Sequence, residues 1–298
     1  MTAREDALYN VRYTKGDTLM SYSAEISRGN PTCFIFLLDQ SGSMADQFGE
    51  GGLRKADFVS DVVNRTLHDL VIRCTRTEEI RNYYHISIIG YGASVRPAFS
   101  GSLTGRTHVP VADVAEMPAR LENRTKKVPD GAGGLVEQQV RFPVWMEPIS
   151  DGGTPMCEAF RLTRSLLDAW LQEHQNSFPP TVLHLTDGES TDGDPSTIAR
   201  EILSLGTNDG PVLLCNCHVS SRSAMKIEYP SDESRLPDDF AKMLFRVSSP
   251  LPDVFRKAAF DMGISIPEGG RNFVFNGDPV SVAQFFEIGT RPANPNLR

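Results

Sequence analysis

The sequence has no apolar run approaching the ~20 residues a membrane-spanning helix needs, and its N-terminus lacks the basic-then-apolar pattern of a leader peptide. Positive charge is in short supply: 30 Lys and Arg face 38 Asp and Glu, a formal charge of −8. That balance excludes a general nucleic-acid binder, whose affinity comes from cations neutralising phosphates. Cysteine is scarce, and the count of five is odd, so the chain has no disulfide framework. There are no internal repeats and no Gly-, Ser- or Pro-rich linker to divide it. No His-Glu-x-x-His or paired Cys-x-x-Cys motif appears, and no Gly-x-Ser-x-Gly elbow. These absences point to a reduced, cytoplasmic protein with neither membrane nor nucleic acid as partner. Hydrophobic content of 40% and charge of 23% are ordinary for a globular chain.

What the sequence does have is concentrated at Cys33-Phe34-Ile35-Phe36-Leu37-Leu38-Asp39-Gln40-Ser41-Gly42-Ser43-Met44. The uninterrupted apolar run has the length of a strand buried on both faces, as in a parallel sheet. Asp39, Ser41 and Ser43 then alternate, so a locally extended turn brings their side chains to one side. A carboxylate and two neutral hydroxyls are hard oxygen donors that suit Mg²⁺ or Mn²⁺ better than a soft metal.

Taken in order, residues 1–19 read as a polar extension, with Met20 as a candidate internal start. A Gly-rich stretch from Gln47 to Leu53 reads as a mobile loop. The amphipathic stripe from Lys55 to Val71 then predicts a helix, and His85 to Gly92 a second strand. Val95 to Phe99 reads as a short antiparallel edge strand. Residues 100–150 read as an irregular insertion, with a short helix within Val111–Leu121 and a short strand over Val140–Met146. The basic cluster of Arg120, Arg124, Lys126 and Lys127 reads as solvated surface. Asp151-Gly152-Gly153-Thr154-Pro155-Met156 opens a strong helical pattern, in which Thr154, taken alone, reads first as a helix cap.

Thr181 to Thr186 is another buried strand, and it ends at Asp187. A short helix over Ile198–Leu205 follows, then a strand over Pro211–Val219, in which Cys215 and Cys217 share a core face. Residues 220–250 read as a second irregular insertion. A helix over Pro252–Met262, a strand over Asn272–Phe275, a helix over Val280–Ile288 and a loose tail at 291–298 complete the chain. Strands alternating with helices over 20–290 predict one doubly wound α/β domain. Its central sheet is mostly parallel, flanked by helices, with one antiparallel edge strand.

Three oxygen-bearing turns therefore fall at strand ends or helix starts: Asp39-x-Ser41-x-Ser43, Thr154 and Asp187. In this set and order the chain resembles the von Willebrand factor A (vWA) family, in its bacterial single-domain form. The contexts Gly-Gly-Thr-Pro and Leu-Thr-Asp-Gly add to the resemblance, which covers roughly residues 30–220. It implies a Rossmann-like fold with a metal-ion-dependent adhesion site. Ser41, Ser43 and Thr154 would give hydroxyl oxygens to Mg²⁺ or Mn²⁺, and Asp39 and Asp187 would bind it directly or through water. It also implies that a protein partner adds a Glu or Asp to the ion, which is then a bridge and not a catalyst.

Proteins of this kind resemble those acting with Ser/Thr kinases and phosphatases, or with chelatase-type AAA ATPases, in bacterial stress response or defence. Two rivals stand beside the non-enzyme expectation. One is a metal-dependent, phosphatase-like hydrolase. Against its phosphoaspartyl form, Ser41 stands where a haloacid-dehalogenase-type enzyme wants a second Asp. The other is a vWA scaffold whose metal is purely structural.

Overall fold

The computed structural model describes residues 22–49, 52–77, 79–129, 134–220 and 225–291, without the side chains of 126–129 and 135. The extension at 1–19, the start at Met20 and the tail at 292–298 lie outside the described residues.

Strand β1 (Thr32–Asp39) is buried along its whole length. It pairs in parallel with β2 (Tyr84–Tyr91) on one side and, as named below, with the strand ending at Thr186 on the other. β2 carries the antiparallel edge strand β3 (Val95–Pro97). Beyond a short helix α2 (Val111–Glu116) comes a two-stranded hairpin, β4 (Arg120–Pro129) and β5 (Leu135–Val144), outside the main sheet. The main sheet resumes with β6 (Thr181–Thr186), β7 (Leu213–Val219), β8 (Ile227–Glu228) and β9 (Phe273–Gly277). Its order is β8-β9-β7-β6-β1-β2-β3, and the short segment Val109–Pro110 also pairs with β2. The parallel strands grow outward from β1 in both directions, which defines a doubly wound, Rossmann-like α/β sheet. The switch point lies between β1 and β6. Where the sequence predicts one antiparallel edge strand, the sheet has three antiparallel segments: β3, Val109–Pro110 on β2, and β8 at the edge opposite β3.

Side-chain alternation on β1 decides which helices cover which face. Phe34, Phe36 and Leu38 enter one core with α1 (Lys55–Cys74), α6 (Asp253–Asp261) and α7 (Pro279–Gly289), through Val63, Leu67, Phe255 and Phe286. Cys33, Ile35 and Leu37 enter the other with α3 (Met156–Glu173) and α4 (Ser196–Ser204), through Phe160, Trp170 and Ile202. Cys215 and Cys217 lie in the first core, buried as the strand pattern requires. Phe273 and Phe275 of β9 pack with Leu244 and Phe245 of α5 (Asp239–Arg246) in a third cluster.

Several expectations are corrected. The insertion at 100–150 is more ordered than its prolines and glycines suggest. β4 and β5 pair from Leu135 opposite Pro129 to Val144 opposite Arg120. The hairpin is anchored on α1: Arg124 donates to Asp61 at 2.5 Å and its guanidinium lies 3.8 Å from the centre of the Phe142 ring. Arg124 is thus a structural ion-pair partner, whereas Arg120 is half exposed and pairs with Glu147. The second irregular region, 220–250, contains β8 and the helix α5. The stretch read as a mobile loop has its ends tied, Gln47–Phe48 pairing with Leu53–Arg54, while residues 50 and 51 lie outside the described residues.

Candidate metal centre

The register of the sheet brings the carboxylates together. Asp39 lies level with Tyr91 on β2, and Leu38 lies level with Leu185 on β6, so β1 and β6 end side by side. Asp39 is 2% exposed. Its Oδ1 accepts the Ser41 backbone N–H at 2.9 Å, which fixes the turn. Its Oδ2 accepts the Thr186 hydroxyl at 2.7 Å, which ties that turn to the end of β6. Burial pushes the Asp39 carboxyl up to about 6, against the Ser41 hydrogen bond that lowers it, and the neighbouring Asp187 charge raises it further.

From Asp39 a row of oxygens leads outward. Ser41 Oγ and Ser43 Oγ are 3.0 Å apart, and the Ser43 hydroxyl donates to Asp187 Oδ1 at 2.6 Å. The turn is not extended throughout, although the alternation of Asp39, Ser41 and Ser43 suggests it: Ser41 is extended, but Gly42–Ala45 winds into a 3-10 turn, and it is this tight turn that brings Ser43 Oγ beside Ser41 Oγ. Lys55 closes the row. Its Nζ donates to Asp187 Oδ2 at 2.7 Å, with Ser43 O and Asp46 Oδ2 each at 3.4 Å.

Thr154 sits in the loop that covers this row. Asp151 N donates to Gln40 O at 2.7 Å, and Gly42 N donates to Gly152 O at 2.9 Å. On the other side, Thr191 N donates to Thr154 O at 2.9 Å. The loop is thus stitched to the Ser41–Ser43 turn and to the segment after Asp187. Two glycines make the approach possible: a Cβ on Gly92 would lie 2.5 Å from Asp151 O and 2.6 Å from Gln40 O, and Gly152 adopts φ +78°. Thr154 is 6% exposed. Its side chain does not cap α3. Asp192 does so instead, accepting from Cys157 N and Glu158 N at 2.9 Å each. Among the described residues the Thr154 hydroxyl has no hydrogen-bond partner, and it makes no side-chain bond to Asp39, Ser41, Ser43 or Asp187.

The structure therefore joins Ser41, Ser43 and Asp187 directly, holds Asp39 behind them through Thr186 and the Ser41 backbone, and brings Thr154 to the same edge by backbone bonds. The donor set suits a hard divalent cation, with two carboxylates and hydroxyl oxygens at the C-terminal ends of parallel strands. Among the described residues no group of three or more His, Cys, Asp or Glu that could hold a metal ion is found. Near Asp187, His218 is stacked on Phe275 with ring centres 4.8 Å apart. Burial pushes it down to about 4 although Asp187 and Asp238 pull it upward, so it adds no charge at neutral pH.

Two participants escaped the sequence reading. Thr186 precedes Asp187 and was legible only as the last strand residue. Lys55 starts a surface-type amphipathic helix, where a lysine ordinarily faces water. No described helix is long and apolar enough to cross a membrane.

No protein-family model matches the chain, and no curated protein matches it. Solved structures resemble parts of it. The pilus adhesin SpaC of Lactobacillus rhamnosus GG aligns over 86% of this chain and 30% of its own length, at 11% identity and a TM-score of 0.42. The vWF domain of the type V pili tip protein Mfa5 of Porphyromonas gingivalis aligns over 56% and 40%, at 13% identity and a TM-score of 0.32. Manganese-loaded TRAP protein of Plasmodium vivax aligns over 65% and 59%, at 12% identity and a TM-score of 0.35. The chain spans less than two thirds of each. Likenesses this partial carry no argument, and the fold rests on the strand order and register above.

Proposed function

We propose that the chain is a recognition module whose bound divalent ion, Mg²⁺ or Mn²⁺, is the contact point for an acidic side chain of a protein partner. The observation that carries this reading is the row Ser41–Ser43–Asp187, closed at 3.0 and 2.6 Å at the adjoining ends of β1 and β6. Ser41, Ser43 and Thr154 would offer hydroxyls, and Asp39 and Asp187 carboxylates, directly or through water. The ion would supply a positive centre with positions left for a partner's Glu or Asp. Two facts favour recognition over hydrolysis. The His218 imidazole, whose field reaches Asp187, is half-buried and held neutral, with Nδ1 accepting Asn276 N–H at 3.3 Å. The Cys157 thiol near the covering loop is pushed up first by burial, away from a nucleophilic thiolate.

The proposed partners are a Ser/Thr kinase, a phosphatase or an AAA ATPase of a bacterial stress-response or defence system, met in the cytoplasm. This finer reading rests on the family resemblance alone. Partner capture by the wild type and Thr154→Ala, each in excess Mg²⁺ and in excess EDTA, tests the function. Capture should require the ion and weaken in Thr154→Ala, more than in an Arg124 variant. Equal capture in all arms would overturn it.

A further inference from the structure

Lys55 is the residue that the function just proposed does not explain. It is 4% exposed, which is rare for a lysine, and its side chain meets an Asp187 side chain that is fully buried. Removing both charges from water is costly unless the pair has a use or excellent geometry. The geometry is specific. One Asp187 oxygen takes the Ser43 hydroxyl, and the other takes the Lys55 ammonium at 2.7 Å. Lys55 also reaches the Ser43 carbonyl at 3.4 Å, so two of its three contacts belong to the oxygen row itself.

We propose that Lys55 is a tethered cation that competes with the divalent ion for Asp187, and that it leaves the loaded site positively charged. The inference rests on the metal reading above. Without Lys55, the charges of Asp39 and Asp187 would balance a divalent ion. With it, one positive charge is left over. Asp46, the other carboxylate near Lys55, has a side chain 62% exposed, and water screens it. The residual charge is what an incoming carboxylate neutralises. The free chain therefore holds its ion loosely, and an acidic partner completes the site. Lys55 is a residue that sets affinity and anion specificity; it is not proposed as a ligand.

The test uses Mn²⁺ as probe and calorimetry on the full chain, comparing wild type, Lys55→Met, Lys55→Gln and Asp39→Ala. Melting in EDTA shows which variants fold. Removing a like charge next to the ion should tighten Mn²⁺ binding by about tenfold in both Lys55 variants. Binding equal to or weaker than wild type, with wild-type binding itself intact, overturns the role of Lys55. Equal binding by wild type and Asp39→Ala overturns the metal reading instead, so the two failures are distinct. Should neither Lys55 variant fold, the wild type decides: saturating Mn²⁺ should release Lys55 from Asp187 and raise its acylation, read by mass spectrometry. Unchanged protection of Lys55 would refute the competition.

Discussion

The Tyr91 hydroxyl lies 2.6 Å from His184 Nε2, in a buried chain of polar groups that crosses the sheet beneath the oxygen row. His184 Nδ1 faces Asn216 Oδ1 at 2.8 Å, while the Asn216 amide nitrogen donates to Ser248 Oγ at 2.9 Å. The amide orientation makes Nδ1 the protonated nitrogen and leaves Nε2 to accept from Tyr91. His184 is held neutral, pushed down to about 4 by burial, although the hydrogen bond to Asn216 favours the charged form.

A pH dependence follows. The folded pKa lies below the unfolded one of about 6.5, so the unfolded chain takes up the proton first. The stability tied to His184 is complete above pH 6.5 and is lost as pH falls towards 4. Between pH 7.5 and 5 the loss is about 2 kcal/mol. His218 and His85, also depressed by burial, act in the same direction, and Asp39, whose carboxyl is raised, acts in the opposite one. Comparing urea unfolding of wild type with His184→Gln cancels those shared contributions. The stability gap between the two should shrink by about 2 kcal/mol from pH 7.5 to 5; a gap independent of pH would show that His184 is not buried neutral.

Asp39 should give opposite answers with and without metal. In the ion-free fold its carboxylate is ionised at pH 7.5 at a cost, because burial raises it from 3.8 to about 6. That difference corresponds to about 3 kcal/mol, relieved as pH falls through 6. Asn keeps an acceptor for Ser41 N–H without the charge, and the Thr186 hydroxyl can turn to Gly188 O, 3.0 Å away. In EDTA, Asp39→Asn should therefore be more stable than wild type by about 1–3 kcal/mol. In Mn²⁺ at a hundredfold excess over Kd, wild type should gain about 2.7 kcal/mol and the variant nothing. Thermal melts in both buffers check both signs.

Asn64 is expected to matter for stability because it holds the chain just past β5, at Trp145 and Met146. Its Oδ1 accepts Trp145 N at 2.8 Å and Met146 N at 3.1 Å, and its Nδ2 donates to Met146 O at 2.9 Å. Asn64→Ala leaves two buried backbone N–H groups and a carbonyl short of partners, though Ser60 Oγ still reaches Met146 O at 2.8 Å. A loss of about 3 kcal/mol is expected in urea unfolding. A loss under about 1 kcal/mol would mean that the segment finds other partners.

The parts of the fold that were legible are those in which burial writes a period. The apolar runs of β1 and β6 and the stripes of α1 and α3 can be read because two cores press on them. The β4–β5 hairpin was not legible as two long strands, since the described side chains of β4, Arg120 to Thr125, bury no face in a core. Its anchors are an arginine over Phe142 and an ion pair to Asp61, which in sequence look like surface. Helix α5 is short, and its apolar side is shared between the small third cluster and, through Phe240 and Met243, the margin of the second core. The site residues stood out because carboxylates and hydroxyls at the ends of apolar strands have no place in a core. Lys55 did not, because its burial follows from where α1 starts relative to β6, a fact of tertiary structure.

The approach of the Thr154 loop to the Ser41–Ser43 turn supplies the last prediction. Gly92 lies just past β2, where the backbones of Gln40 and Asp151 pass on either side of it. A methyl group there would sit within 2.6 Å of both carbonyl oxygens, distances that force backbone apart. The bonds at risk are Asp151 N to Gln40 O and Gly42 N to Gly152 O, which fasten the covering loop to the turn. The two cores are made by side chains of the strands and helices and not by these loop backbone bonds, so the sheet should persist. Gly92→Ala should therefore cost only about 1–3 kcal/mol, within the range for overpacking. The same shift carries Thr154 away from Ser41 and Ser43, and a displacement of a ligand loop by about 1 Å is enough to weaken Mn²⁺ binding tenfold or more. Circular dichroism, urea unfolding and Mn²⁺ calorimetry on one preparation separate the two effects. Unchanged affinity alongside the expected loss of stability would place Thr154 outside the metal centre.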